Sequence, residues 1–282
     1  MASFAPEVIF QIGRFPVTNT VINTILVDGF LLMLAFFVNR NISKIPGKFQ
    51  LIAEYVIGGL YRLTESIAGD KTSRIFPFFI TFFLFILIAN WSGLIPGINT
   101  FGIIEQHGGK THIIPFIRAT TSDLNTTLAL AVVSLLATHT MSLRVLGLSE
   151  YLSRFIPFFP FIISVLKGKP KFSLDMSGPI NLVLSIFSPF VFVFVGLLEL
   201  ISEFVKVISL SFRLFGNIFA GEVVLETVSG IFAFIFPLPF LVLELVVGFV
   251  QALVFSMLTM AFMIILTTPH KEAEEVSHSS GV

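Results

Sequence analysis

The chain of 282 residues contains no cysteine, one tryptophan, and only 12% charged residues. Absence of cysteine excludes disulfides, thiolate metal sites and cysteine nucleophiles, and leaves the redox compartment open. The shortage of charge excludes a soluble fold. Charged residues run at about half the share usual for a soluble domain, and a soluble surface this poor in charge would aggregate. Net charge is zero, with 17 Lys+Arg against 17 Asp+Glu, so nothing in the composition points to nucleic acid. What fills the space is apolar: 55% hydrophobic residues, 35 of them Phe, and a mean hydropathy of +0.96. Several runs approach the ~20 apolar residues a helix needs to cross a bilayer. The class is an all-α polytopic membrane protein. Its acid-bearing N-terminus does not read as a cleaved signal or transit peptide, so the internal spans are expected to carry it into the membrane.

The first span is expected from about Thr20 to Val38, with Asp28 inside it reading as a buried acid hydrogen-bonded to a neighbouring helix. Between Phe49 and Ile67 apolar residues recur near helical spacing, with Glu54, Arg62 and Glu65 between them. That pattern is an amphipathic helix lying on the membrane surface. A Phe-rich second span runs from Ile75 to Ile95, stopped by Pro96-Gly97. Residues 97–122 read as a polar loop, in which His107 and His112 make only a weak metal pair. A third span covers Leu124–Leu146, with Asp123 or Ser122 as N-cap. Residues 147–178 mix aromatic and basic groups as the headgroup region favours.

From Pro179 to about Phe236 no polar break appears. At 1.5 Å per residue a helix of that length would measure ~80 Å, against a hydrocarbon core of ~30 Å. A single, strongly tilted helix is the reading preferred over two spans with a buried turn. Pro237 and Pro239 then turn the chain, a last span runs from Phe240 to Leu266, and residues 269–282 form a polar tail. The expectation is therefore one membrane domain, 1–282. Residues 1–178 supply the N-terminal helices and surface segments, and 179–268 a tilted hairpin, for about five membrane-embedded helices. Of the 17 Lys+Arg, 12 lie in 40–74, 144–171 and the tail. The positive-inside rule then puts the N-terminus outside and the C-terminus in the cytoplasm.

Charge inside the spans is the informative feature. The long stretch holds Glu199, Glu203, Lys206, Arg213, Glu222 and Glu226, and the last span Glu244 and Gln251. A charge at the bilayer centre costs ~2.5–3.5 kcal/mol, so these groups must face protein or water. At ~100° per residue, Lys206 and Arg213 share a face, Arg213 and Glu222 point opposite ways, and Glu222 and Glu226 share a face. Arg213 has Ser209, Leu210, Gly216 and Asn217 at helical neighbour positions, none of them acidic. A cation inside a span without a local partner points to function more than to packing. Glu199 and Glu203 are equally compatible with an interfacial position, and Glu226 with simple solvation. No phosphate-binding loop, zinc signature or nucleophile elbow is present.

The segment SLSFRLFGNIFAGE, residues 209–222, resembles subunit a of F-type ATP synthases, and FPVTNT, NWSGLIPG, SDLNTTLALA and ELVVGFVQALVFSMLTMAFM extend the resemblance over nearly the whole chain. The resemblance implies an all-helical fold with a long tilted hairpin against a ring of c subunits. It implies that Arg213 is the stator arginine, with Asn217 one turn on and Gln251 packing near it. Glu222 and Glu244 match the two polar positions of the outer half-channel, and are expected close together in a wet cavity where both do not ionise. Glu199, Lys206 and Ser209 match polar positions of the inner half-channel. The implied partners are the c ring, the peripheral-stalk b subunits and membrane lipids, with no cofactor, no metal and no nucleotide. The chain alone is then no enzyme; it moves an ion, taken as a proton, with Na⁺ the alternative that the two glutamates leave open because selectivity depends mainly on the c-ring site. The implied place is a bacterial plasma (inner) membrane, an organelle inner membrane being the alternative. The rival class is an independent secondary transporter with a midplane site, which calls for internal repeats that the sequence does not show.

Overall fold

A computed structural model describes residues 6–40, 42, 46–95, 97–98, 101–107, 110–155, 179–231 and 237–268. In chain order the elements are β1 (Val8–Ile12), β2 (Phe15–Thr18), α1 (Asn19–Arg40), α2 (Lys48–Ala68), α3 (Thr72–Ser92), β3 (Gly102–His107), β4 (Lys110–Pro115), α4 (Leu124–Leu146), α5 (Leu148–Phe155), α6 (Pro179–Ile231) and α7 (Pro237–Thr267). Short 3₁₀ turns stand at Gly69–Lys71 and Thr120–Ser122. The protein is mostly helical. Among the described residues, four helical segments are long and apolar enough to span a membrane: Asn19–Arg40, Lys48–Ser92, Leu124–Leu146 and Pro237–Thr267.

Local chemistry explains the boundaries. Thr18 Oγ1 accepts the Val21 N–H at 3.4 Å and so caps α1. Asp123, not Ser122, caps α4: its Oδ1 accepts the Asn125 N–H at 2.9 Å and its carbonyl the Thr127 N–H at 3.1 Å. The long apolar stretch is one helix of 53 residues as far as Ile231, and residues 232–236 lie outside the described ones. Pro237 and Pro239 belong to the first turn of α7 rather than to a bend before it. Proline suits that turn because the N–H groups there have no intrahelical acceptor.

Other expectations need correction. The second span ends at Ser92, before Pro96. The 97–122 loop holds an antiparallel hairpin, with His107 opposite Lys110 and Glu105 opposite His112. A second hairpin precedes α1, with Ile12 opposite Phe15 around Gly13, whose φ of 64° suits a glycine turn. Asp28 is exposed on α1, not buried against a neighbour. Of the 147–178 segment, α5 is described; residues 156–178 and the tail 269–282 lie outside the described residues.

The chain divides into two compact units, Met1–Val133 with Ser209–Ala261, and Ser134–Ile208 with Phe262–Val282. In the first, α3 is the hub. Phe82 meets Phe255 and Phe83 meets Phe249, each pair of rings 5.7 Å apart, and Ile75, Phe79 and Ile86 are buried. Trp91 Nε1 and Asn90 Nδ2 donate to the carbonyls of Leu245 and Gly248, each at 3.1 Å. On its other flank Tyr61 of α2 packs edge-on to Phe76 at 5.1 Å. The opposite side of α2 leaves Phe49, Leu51, Ile52 and Tyr55 exposed, an apolar face of the kind that lies on a bilayer. In the second unit Met141, Met263 and Leu266 are buried, and Ser142 Oγ donates to the Leu266 carbonyl at 2.6 Å.

Candidate functional site

The first unit gathers most of the polar residues that the sequence singles out. Leu210 and Leu214 are buried on α6, while Arg213 between them is exposed. Among the described residues Arg213 has no ion pair and no hydrogen-bond partner. One turn on, Asn217 Nδ2 donates to Gln251 Oε1 at 2.7 Å, tying α6 to α7. Gln251 is 4% exposed, and its Nε2 has no partner among the described residues. Two residues before the arginine, Ser211 Oγ and Thr127 Oγ1 share a hydrogen bond at 3.2 Å, tying α6 to α4.

Glu222 faces away from Arg213, as the helical spacing requires, and meets a partner that the sequence does not single out. Arg118 Nε donates to Glu222 Oε1 at 2.9 Å and to Oε2 at 3.2 Å, and Nη2 donates to Oε2 at 3.0 Å. Arg118 is 5% exposed. A planar guanidinium matched to both carboxylate oxygens is the strong form of ion pair. Its backbone is fixed as well, since Asn23 Nδ2 on α1 donates to the Arg118 carbonyl at 2.9 Å. Beside it Thr20 Oγ1 donates to Asp123 Oδ2 at 3.1 Å, and Thr121 Oγ1 donates to Asn90 Oδ1 at 2.5 Å. The 3₁₀ segment between β4 and α4 is thereby laced to α1 and α3, and presents Arg118 to α6.

Glu244 on α7 is 5% exposed, and its Oε1 has no partner among the described residues. Its carboxylate lies directly over Gly221, where a Cβ would collide with it. The two glutamates are therefore neighbours despite their separation in sequence, as expected. They are not an isolated pair of like charges, because Arg118 occupies the oxygens of Glu222. Arg118 was legible in principle. The charge-poor N-terminal segment and the 97–122 loop offer only Arg14, Lys110 and Arg118 as cations, and a carboxylate inside a span demands one.

The second unit holds the remaining candidates. Lys206 Nζ donates to Glu203 Oε1 at 2.6 Å, and Glu203 is 6% exposed. Glu203 is thus a buried, paired acid. His139 Nε2 on α4 lies 3.7 Å from Glu203 Oε2, and His139 Nδ1 shares a hydrogen bond with Tyr151 Oη of α5 at 3.1 Å. Burial, and then the Glu203 charge, push the Tyr151 phenol above its usual range, which keeps it protonated. Glu199 is half-buried, while Ser209, which belongs to the first unit, is exposed. Sequence reasoning did not find His139 and Tyr151, because the spacing between two helices and a third carries no local periodic signal.

A family model described as ATP synthase A chain matches residues 21–264, from α1 to near the end of α7. The chain belongs to the ATP synthase A chain family. Curated relatives agree. The chain is similar to an ATP synthase subunit a of Moorella thermoacetica, 31% identical over 93% of this chain and 96% of that one. It is similar to one of Legionella pneumophila (strain Paris), 28% identical over 92% and 90%, and to one of Geotalea daltonii, 30% identical over 85% and 83%. Apart from Thr20, the residues described above fall within the family match.

Proposed function

We propose that this chain is the ion-translocating stator subunit of a rotary F-type ATP synthase. It carries protons through two offset half-channels at its interface with a c ring, and couples that flow to ring rotation and ATP synthesis. The chain itself forms no covalent intermediate and binds no nucleotide. It works with the c ring, peripheral-stalk b subunits and the rest of the complex in a bacterial plasma membrane, N-terminus outside and C-terminus cytoplasmic.

The observation that carries the reading is Arg213, an exposed guanidinium on a helix face whose described neighbours offer it no partner. A guanidinium is charged at any physiological pH, and such a group in a bilayer needs an acid from elsewhere. A carboxylate on a passing ring helix supplies it. At ~4 Å and an effective dielectric near ~20, the attraction is worth ~4 kcal/mol. That is enough to strip the ion from the ring carboxylate and to stop a loaded site from slipping directly between half-channels. Asn217 and Gln251, bonded to each other, hold α6, which carries the arginine, in register with α7.

On the outer side a proton reaches the ring past Glu222 and Glu244. Glu222, gripped by Arg118, serves as a fixed negative charge, and Glu244, with one oxygen unpartnered, takes and passes the proton. On the inner side Glu199, Lys206 and Ser209 line the exit. Long α6 is tilted in the membrane, the arrangement that fits a helix of 53 residues to a core of ~30 Å. The test is acidification of inverted vesicles carrying the assembled complex on addition of ATP. Pumping in the wild type and none in an assembled Arg213→Ala complex is the expected pair of results.

A further inference from the structure

Within the second unit, four side chains form a line that the path above does not use in full. Glu203 has a different partner on each oxygen: Lys206 Nζ at 2.6 Å on Oε1, and His139 Nε2 at 3.7 Å from Oε2. His139 continues through Nδ1 to Tyr151 Oη at 3.1 Å. The remaining side of Lys206 is covered by Phe262 of α7, with Nζ 5.0 Å from the ring centroid. The charge of Glu203 already has its counter-ion in Lys206 on the same helix. The histidine adds something a packing role does not require. Its two nitrogens face a carboxylate and a hydroxyl, so it can take a proton at one and release one from the other. At 3.7 Å the Glu203–His139 gap lies just beyond hydrogen-bond range, short enough for a small side-chain rotation to close.

We infer that Glu203, His139 and Tyr151 form a proton relay that carries the released proton from α6, beside Lys206, to the half-exposed Tyr151 on α5. The inference rests on the function proposed above. A proton arriving at Glu203 turns its carboxylate into the acid. The acid gives a proton to His139 Nε2, forming the imidazolium. The imidazolium loses its Nδ1 proton to Tyr151 Oη while the phenol's own proton passes to water. One proton has entered and one has left. Tautomer exchange of the imidazole and rotation of the hydroxyl restore the start. Lys206, a permanent neighbour of Glu203, holds the carboxylate in place between transfers.

The experiment uses the assembled complex in vesicles and measures ATP synthesis driven by an imposed membrane potential with no pH difference, so that added buffer does not collapse the driving force. His139→Ala is expected to slow synthesis ~10-fold, less than the loss of a general acid–base group usually brings, because water supplies a slower parallel route. Added imidazole is expected to restore at least half of the lost rate. Tyr151→Phe is expected to slow synthesis a few-fold. A His139→Ala complex that runs at the wild-type rate would overturn the relay, and so would one slowed but indifferent to imidazole. If His139→Ala fails to assemble, His139→Gln decides. It keeps a hydrogen-bonding side chain beside Tyr151, so a packing role gives a normal rate and the relay a slow one. Wild-type vesicles that make no ATP, or that need Na⁺, would instead sink the proton-translocation reading itself.

Discussion

Arg118→Gln removes the cation from the buried pair with Glu222 while keeping a neutral, hydrogen-bonding side chain. The pair has three N–H···O contacts of 2.9, 3.2 and 3.0 Å, and side-chain exposures of 6% and 26%. At ~4 Å between charge centres and an effective dielectric of ~20 the direct attraction is ~4 kcal/mol. Partial exposure of Glu222 screens it, and about half of that is a reasonable coupling. Each single change leaves the other charge uncompensated, which is the costly state. Arg118→Gln and Glu222→Gln alone should therefore each lower the thermal midpoint of the complex, and each cut ATP-driven pumping ~10-fold or more. In the double variant the destabilisation should be largely relieved, with a coupling of ~1–3 kcal/mol in the double-mutant cycle. Pumping should stay low, because the fixed negative charge is still missing. Effects on stability that add to within ~0.5 kcal/mol would refute the claim that these two side chains act as a pair.

Gly221→Ala drives a methyl into the Glu244 carboxylate, which sits at the flexible end of its side chain. The fold should therefore hold, with stability changed by under ~1 kcal/mol, while pumping falls several-fold; a normal pumping rate would show that the position of Glu244 is unimportant. Asn90→Ala removes a buried amide that accepts from Thr121 and donates to Gly248. It should cost ~2–4 kcal/mol through the two groups left unpaired, read as a lower midpoint and poorer assembly. Asn217→Leu breaks the bond to Gln251 and leaves that buried amide with no partner among the described residues. It should lower the rate of synthesis more than assembly, whereas an unchanged rate would make that bond incidental.

Helix-forming segments were legible in the sequence because a bilayer leaves few alternatives. Apolar runs bounded by charge and capping residues located α1, α3 and α4 to within a few residues at most ends. The absence of a polar break located α6. The hairpins were missed although the sequence carried a signal for each: Gly13-Arg14 between Ile12 and Phe15, and the dipeptide Gly108-Gly109 after His107, glycine-containing pairs of the kind that mark hairpins in a sequence. Asp28 was misplaced because spacing along one helix does not say which face its neighbours cover. The same limit explains the site. Periodicity separated Arg213 from Glu222 on α6 and put Glu222 beside Glu226. It could not see Arg118 or His139, whose partners lie 104 and 64 positions away in the chain. Partners of that kind are set by packing between elements, and only the fold brings them together.

The central claim is that an uncompensated guanidinium on α6 couples ion movement to ring rotation, and the assembled Arg213→Ala complex tests it most directly. Inverted vesicles are supplied with ATP, acidification of their interior is followed by a pH-sensitive dye, and subunit content confirms assembly. Arg213→Lys is run alongside, because lysine keeps a charge but loses the planar fork and deprotonates when buried. The account expects both complexes to assemble and neither to pump, with Arg213→Ala also leaking protons passively once neutral ring sites can pass. An assembled Arg213→Ala complex that acidifies the vesicles at the wild-type rate would contradict it.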